Sequence, residues 1–600
     1  MTSRTAVLVL TSCLALAGCS LLPGADEDDD GPARIDPLTS MTEPGVRLAG
    51  TALEDAPRYD VRATVAPATG RVRGTVQAEL PVGPGIRTVE LRYFAGVPDF
   101  EIDARLGEVV VDGERADARR EASIVRVPLP DGHDGRVEVT VPFSYVLPPA
   151  QEGGGLLDQL GGMGGPADVG LLARHPEALN LGHWFPLWVP EGGSAEPDPE
   201  GFGDIGNFPA AQIRAELTVP ERWTVVDGGV RVSEDTQDGE RTVVSEGYGM
   251  NDLVVSVLRD YASESVTLEG GEVDGVRVTA FAPRSERAVL DEVLRETTVS
   301  LEVLSEELGA YPWREFDVVS APLGAGVGGM EWPGATWIEP DLFAGGIPGL
   351  GGLADSLGGL DGLLGGEAGD LGSLLGGGDT GLVLETLRAW TIAHEVGHEW
   401  WHVIVGNDSV LDPVVDEPLA QHSACLVMRR SHPDDADALC AGHVDSAYEQ
   451  MRLLGDEDAP AARPTDAFGS SGQYAGVVYG KAAAFYRTLE EEYGRDRVTA
   501  ALREVVREHA FAMLDDERLR DTLARSLDGG ARFDRLWTRW MERRHGDADL
   551  DVDPGSGLSG LLGSGSLDDL LGGGRGSGDP GELGELLGDL LEDLDTSGAG

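Results

Sequence analysis

The chain has 600 residues, too many for one compact core, so two or three domains are expected. Its formal net charge is -59, from 105 acidic against 46 basic residues. That balance argues against a nucleic-acid partner, which needs a basic face, and against docking on an anionic lipid surface. It reads as a heavily solvated acidic exterior, with a preference for basic substrates as the sharper alternative.

The first 18 residues read as a signal peptide. Arg4 supplies the positive start, and Ala6 to Ala17 is an apolar run too short to span a bilayer. Leu16-Ala17-Gly18-Cys19 resembles a bacterial lipobox, which implies that Cys19 becomes the lipidated first residue. No later stretch is long and apolar enough to span, so the expected anchor is lipid alone, on an extracytoplasmic cell-membrane lipoprotein. Residues 19–48, with the run Asp28-Asp29-Asp30, are predicted to be a disordered acidic tether. Residues 49–265 alternate apolar and polar side chains, as in Tyr59 to Val65 and Arg136 to Val141, and predict an antiparallel β domain with one solvated face.

After Arg287 the period becomes helical, with a helix expected to end near Gly309. Strands are predicted at Phe316 to Val319 and Gly334 to Ile338, a helix from Leu382 to His402, and more helices between Glu417 and Arg544. Residues 266–548 form the second predicted domain. Gly/Leu-rich stretches at 152–170, 344–380 and 549–600 read as two insertions and a disordered tail. With Cys13 in the signal and Cys19 lipidated, Cys425 and Cys440 are left as a pair, and a disulfide between them is expected outside the cell.

The strongest chemical signal is His394-Glu395-Val396-Gly397-His398. Residues four apart share a helix face, so both imidazoles reach one metal. Glu395, rotated by about 100° from His394, faces a water on that metal without binding it. Eighteen residues separate His398 from Glu417, in Val415-Asp416-Glu417-Pro418-Leu419-Ala420. Two His and one Glu leave a zinc position open for water. A histidine six residues past His398 is missing, since Ile404 stands there. His402 is expected to support the site or pack. Asp408 and Asp416 could orient imidazoles or serve as caps. His422, His432, His443 and His509 have no ligand spacing and read as surface or packing residues.

HEVGHEWWH followed by DEPLA resembles the gluzincin aminopeptidase family of aminopeptidase N and leukotriene hydrolase. Gly328-Gly329-Met330-Glu331-Trp332-Pro333-Gly334 is similar to that family's GxMEN strand, and Val478-Tyr479-Gly480-Lys481-Ala482-Ala483 to its YxKGA motif. Leu181-Gly182-His183-Trp184-Phe185-Pro186 looks like the aromatic-Pro segment of its N-terminal domain. The resemblance covers roughly residues 50–545. It implies an α+β protein with a β domain followed by a thermolysin-like, mainly helical catalytic domain with a small sheet. It implies one zinc per chain on His394, His398 and Glu417, with peptides as substrates. Glu395 would be the general base and Tyr479 the oxyanion donor. Glu331 would hold the substrate's α-ammonium on the Gly328, Gly329, Met330 strand, and Lys481 would be structural.

Three positions depart from the family pattern: Trp332 stands for Asn, Pro418 for Gly and Ala482 for Gly. The last predicted helix ends near Arg544, without the large C-terminal helical domain of the larger relatives, so a more open cleft is expected. An aminopeptidase is the first expectation. A metallo-endopeptidase with the same zinc, and a non-catalytic surface binding protein on the same scaffold, stay open beside it.

Overall fold

Alternating side chains decide the first half of the fold. In the strand Gly135–Val146, Val137, Val139, Val141, Phe143 and Tyr145 are buried while their neighbours face out. The computed structural model describes residues 31–130, 135–150, 169–196, 203, 206–324, 327–346 and 378–552. The described residues from Pro32 onward belong to one compact unit.

Among them, the strands Val230–Gln237, Glu240–Met250, Ala211–Pro220, Arg58–Ala66, Arg71–Val82 and Gly135–Val146 lie side by side in one large sheet. Two four-stranded sheets complete the β domain. The expectation of an antiparallel domain is corrected for one pair of its long strands. Arg58–Ala66 pairs parallel with Ala211–Pro220, Tyr59 opposite Ile213. The long excursion between the two strands permits the crossover that parallel pairing needs.

A five-stranded sheet opens the second half, in the order Tyr261–Thr267, Arg277–Pro283, Glu315–Ser320, Ala335–Ile338, Gly329–Trp332. The first of these strands starts before residue 265, so 261–265 belong with the second sheet rather than with the β domain. Gly329–Trp332 is the edge strand, antiparallel to Ala335–Ile338 with Glu331 opposite Thr336. The helix Gly378–Gly397 packs beside it. Further helices follow at Glu417–Ser431, Ala436–Leu454, Ala483–Tyr493, Arg495–His509, Asp516–Ser526 and Gly530–Trp540. No described helix is long and apolar enough to cross a membrane.

Three other expectations change. Over residues 31–48 the predicted tether is folded: Asp36 caps Pro37–Ser40 and Thr42 caps Glu43–Ala49. Met41 is fully buried and bridges to Trp313, and Ile35, earlier in the same segment, is buried too, so a few apolar anchors pin a segment whose composition looks disordered. The fold also continues past residue 548, because the carbonyl of Asp547 accepts from the Val552 amide at 2.9 Å. Finally, the helix predicted to reach His402 ends at Gly397. His402 has φ +117°, and Trp400 and Trp401, both fully buried, donate in different directions, to Gly309 O and Ser423 Oγ. Residues 1–30, with the signal and Cys19, lie outside the described residues, as do most of the Gly/Leu-rich segments.

Candidate metal centre

His394 sits one turn before the end of the Gly378–Gly397 helix, and the His398 amide still donates to the His394 carbonyl at 3.3 Å. The two rings stand nearly perpendicular, at 86°. Gly397 between them lets the next helix close in: a β-carbon there would lie 2.9 Å from Ser423 Cβ and 3.3 Å from Ala420. That approach brings Glu417, first residue of Glu417–Ser431, onto the two histidines.

The Nε2 atoms of His394 and His398 are 3.1 Å apart, and Glu417 Oε2 is 3.2 Å from the first and 3.4 Å from the second. Ligand atoms about 2.0–2.1 Å from a tetrahedral zinc lie roughly 3.3 Å apart, so these three atoms form one face of such a tetrahedron. His398 Nδ1 lies 3.1 Å from the Trp401 carbonyl, which can only accept, so Nε2 is left to meet a cation. Glu417 Oε2 is buried without a hydrogen-bond donor. A buried carboxylate oxygen in that position is costly unless a cation meets it. The donor set therefore fits zinc.

Carboxylates crowd the histidine pair. Burial pulls the His398 imidazole down, yet the Glu331, Glu417 and Glu395 carboxylates outweigh it and hold it well above its ordinary value. Burial pushes Glu417 up, and the two imidazoles more than reverse that. Glu395 is raised, first by burial and then by the Glu331 carboxylate. Glu331, Glu395 and His398 each place a ligand atom within 4.8 Å of the others.

Tyr479, half-buried in the π-helical turn Ala475–Ala482, donates to Glu417 Oε1 at 2.6 Å and stacks at 5.9 Å on His394. Met330 contributes its carbonyl, which accepts from Thr336 Oγ1 at 3.1 Å, and the Gly328 carbonyl accepts from the Glu339 amide. Lys481 is fully buried and donates to Asp458, Ala459 O and Arg543 O, a structural role. Trp332 packs edge-on at 5.0 Å against His183 and against Gly182, where a β-carbon would overlap its ring. The indole that replaces the family's Asn thus fastens the edge strand to the Leu181–Pro186 segment.

The other residues singled out in the sequence take these places. His402 is not among the converging ligand atoms; its Nδ1 lies 3.3 Å from Asn407 Oδ1 and from Ser409 Oγ. Asp408 touches no imidazole of the metal pair and accepts instead from the Ser194 amide at 2.7 Å. Asp416 caps Glu417–Ser431, its Oδ1 accepting from the Glu417 amide at 2.6 Å. His422, His443 and His509 are packed: His443 stacks at 4.1 Å on Trp390, and His509 meets Thr522 at 3.0 Å. Burial takes the His422 imidazole down to about 4. Cys425 and Cys440 are joined in a disulfide, Cα atoms 5.4 Å apart.

Sequence reasoning missed Glu399. It is buried beside His398, and its carboxylate accepts from the Gly334 amide at 3.2 Å, tying the histidine helix to the turn after Glu331. Burial raises this carboxyl well above its usual range. Its place directly after His398 was the available signal. Asn407 and Ser409 were also missed, and nothing in their spacing marks them.

Residues 384–540 match the model of the peptidase family M1 domain. Among solved structures, the M1 zinc metallopeptidase from Deinococcus radiodurans is similar at 16% identity and a TM-score of 0.54, over 82% of this chain and 94% of that one. A mutant of it bound to a Tyr-Ser-Ala substrate gives 16% and 0.53 over the same shares. A two-domain M1 zinc metallopeptidase mutant bound to L-tryptophan gives 16% and 0.55, again over 82% and 94%. These likenesses show a shared two-domain fold.

Proposed function

We propose, from the premise that this chain is a zinc metallopeptidase carrying a peptidase family M1 domain, that it removes single residues from the N-termini of peptides. The observation that carries the reading is the Glu331 carboxylate on an edge strand, within reach of both Glu395 and His398. A carboxylate there, partly open to the cleft, suits a substrate's free α-ammonium and would set its first peptide bond against the general base.

His394, His398 and Glu417 hold the zinc. When bound, the ion supplies Lewis acidity, polarising a carbonyl and acidifying water. Glu395 accepts the proton of the attacking water and returns it to the leaving amine. The Tyr479 hydroxyl, a neutral donor, turns from Glu417 to the oxygen on which negative charge develops. Glu331 holds the amine end still while this happens.

Matched peptides with free and acetylated N-termini test the specificity. The reading predicts cleavage of the first bond of free peptides only, and Glu331→Gln should weaken that preference. One observation favours a second reading. Trp332 is buried against Gly182 and His183, so position 332 offers an indole rather than a side-chain amide next to Glu331. Internal cleavage of acetylated peptides would select an endopeptidase with the same zinc.

The lipobox-like Leu16-Ala17-Gly18-Cys19 supports an extracytoplasmic lipoprotein anchored at Cys19, and the Cys425–Cys440 disulfide suits an oxidising compartment. Cys19→Ala should release the protein from membranes, and an unchanged membrane fraction would contradict the anchor.

A further inference from the structure

We propose that Asn407 and Ser409 are positioning residues for Glu417, and that through Asp408 they make zinc affinity depend on the docking of the β domain. The inference rests on Glu417 being a zinc ligand.

The centre of the arrangement is the Asp416 carboxylate. Its Oδ1 accepts from the Glu417 amide at 2.6 Å. Its Oδ2 accepts from Asn407 Nδ2 at 2.6 Å and from Ser409 Oγ at 2.6 Å. A carboxylate gripped at one oxygen by two donors cannot rotate freely, so the other oxygen holds the Glu417 backbone at a fixed point. Asn407, Ser409 and Asp416 are 1%, 2% and 2% exposed, so water does not substitute for a lost partner without rearrangement.

Asp408, between the two donors, points the other way. Its Oδ2 accepts from the Ser194 amide at 2.7 Å and from Asn207 Nδ2 at 3.3 Å, and the Ser409 amide donates to Gly206 O at 3.2 Å. Ser194 is itself held from the β domain. Arg92, at the end of the strand Thr88–Arg92, donates to the Ser194 carbonyl at 3.1 Å and to Ser123 Oγ at 2.9 Å. Asn207 Nδ2 donates to the same carbonyl at 2.6 Å. A second thread runs from Asn251 Nδ2 to the His402 carbonyl at 3.4 Å, and His402 Nδ1 faces Asn407 and Ser409. Buried hydrogen bonds thus lead from a strand of the β domain to the backbone of a metal ligand. Groups that orient a ligand in this way commonly govern metal affinity about as strongly as they govern activity.

The test is the zinc dissociation constant of the full chain, measured by competition with a chelator, for the unaltered protein, Ser409→Ala, Ser409→Thr and Asn207→Ala, each checked for folding by circular dichroism. The relay predicts that Ser409→Ala and Asn207→Ala bind zinc about tenfold or more weakly, while Ser409→Thr, which keeps the hydroxyl, retains affinity. A merely structural role would lower the melting temperature and leave the zinc constant in place. Should Ser409→Ala not fold, Asn207→Ala carries the test from the far end of the relay. Folded variants whose zinc constants match the unaltered protein would overturn the relay, as would Ser409→Thr binding as weakly as Ser409→Ala. An unaltered chain that takes up no zinc would overturn the ligand assignment itself and the relay with it.

Discussion

The Glu395 carboxylate lies against the backbone of Gly329, so closely that a β-carbon at position 329 would sit 2.4 Å from Oε1 and 2.6 Å from Cδ. The edge strand and the histidine helix are therefore matched at the point where proton transfer is assigned. Gly329 is not among the residues with left-handed backbone angles, so an alanine there meets the Glu395 side chain first rather than backbone strain.

Gly329→Ala should displace Glu395 and lower kcat by about tenfold or more, because a shift of about an ångström in a reacting group has consequences of that order. Zinc content should be unchanged. Steady-state kinetics with metal analysis checks this, and an alanine variant of full activity would show that Glu395 is free to work from another position.

Tyr479→Phe removes the only proton that the phenol can offer to a developing oxyanion. The loss expected is about 10²- to 10³-fold in kcat, with KM little changed. A variant that lost affinity for substrate instead would assign Tyr479 to binding.

The Cys425–Cys440 bridge closes a loop of sequence separation 15 between the helix that begins at Glu417 and the helix Ala436–Leu454. A loop of that length stabilises by about 3 kcal/mol in the chain-entropy account. The double variant Cys425→Ser, Cys440→Ser should lose about that much in denaturant unfolding. In the unaltered protein, a thiol reagent applied under denaturing, non-reducing conditions should find neither cysteine; two reactive thiols would contradict the bridge.

Much of the metal site was legible because it is local. His394 and His398 are four apart on a helix, and periodicity alone puts them on one face. Glu417 comes from another helix, and no helical period links it to the pair; the eighteen-residue spacing, the donor set and the family resemblance did. Gly397, whose bare backbone lets the helices meet, was visible as a letter but not as a reason. The residues that hold the site from behind were not legible. Glu399 meets Gly334, and Asp408 meets Ser194, across separations that no period encodes. The same limit hid the parallel pairing of Arg58–Ala66 with Ala211–Pro220. Residues 31–48 were misread for another reason. Composition averages away the caps Asp36 and Thr42 and the few buried apolar residues, Ile35 and Met41, that fold the segment.

Asp412 gives a pH dependence of stability. Burial and the nearby Asp516, Asp515 and Asp408 raise its carboxyl to about 7, against the opposing hydrogen bond from the Asp516 amide. The folded state therefore binds this proton more tightly than the unfolded chain, where a pKa of about 3.9 applies. Its stabilising contribution is full below about pH 4 and is lost as pH rises through about 7. Asp412→Asn, permanently neutral, should melt at the same temperature as the parent near pH 4. At pH 8 it should be more stable by about 1 kcal/mol, a value discounted for the partial exposure of the group. A gain of equal size at both pH values would show that charge is not the cause.

The central claim is the zinc centre itself, and metal content tests it most directly. Chain purified and dialysed in neutral buffer with zinc present should hold about one zinc, and Glu395→Gln should hold the same amount while losing hydrolysis. A folded chain that emerged from that dialysis free of zinc would contradict the account.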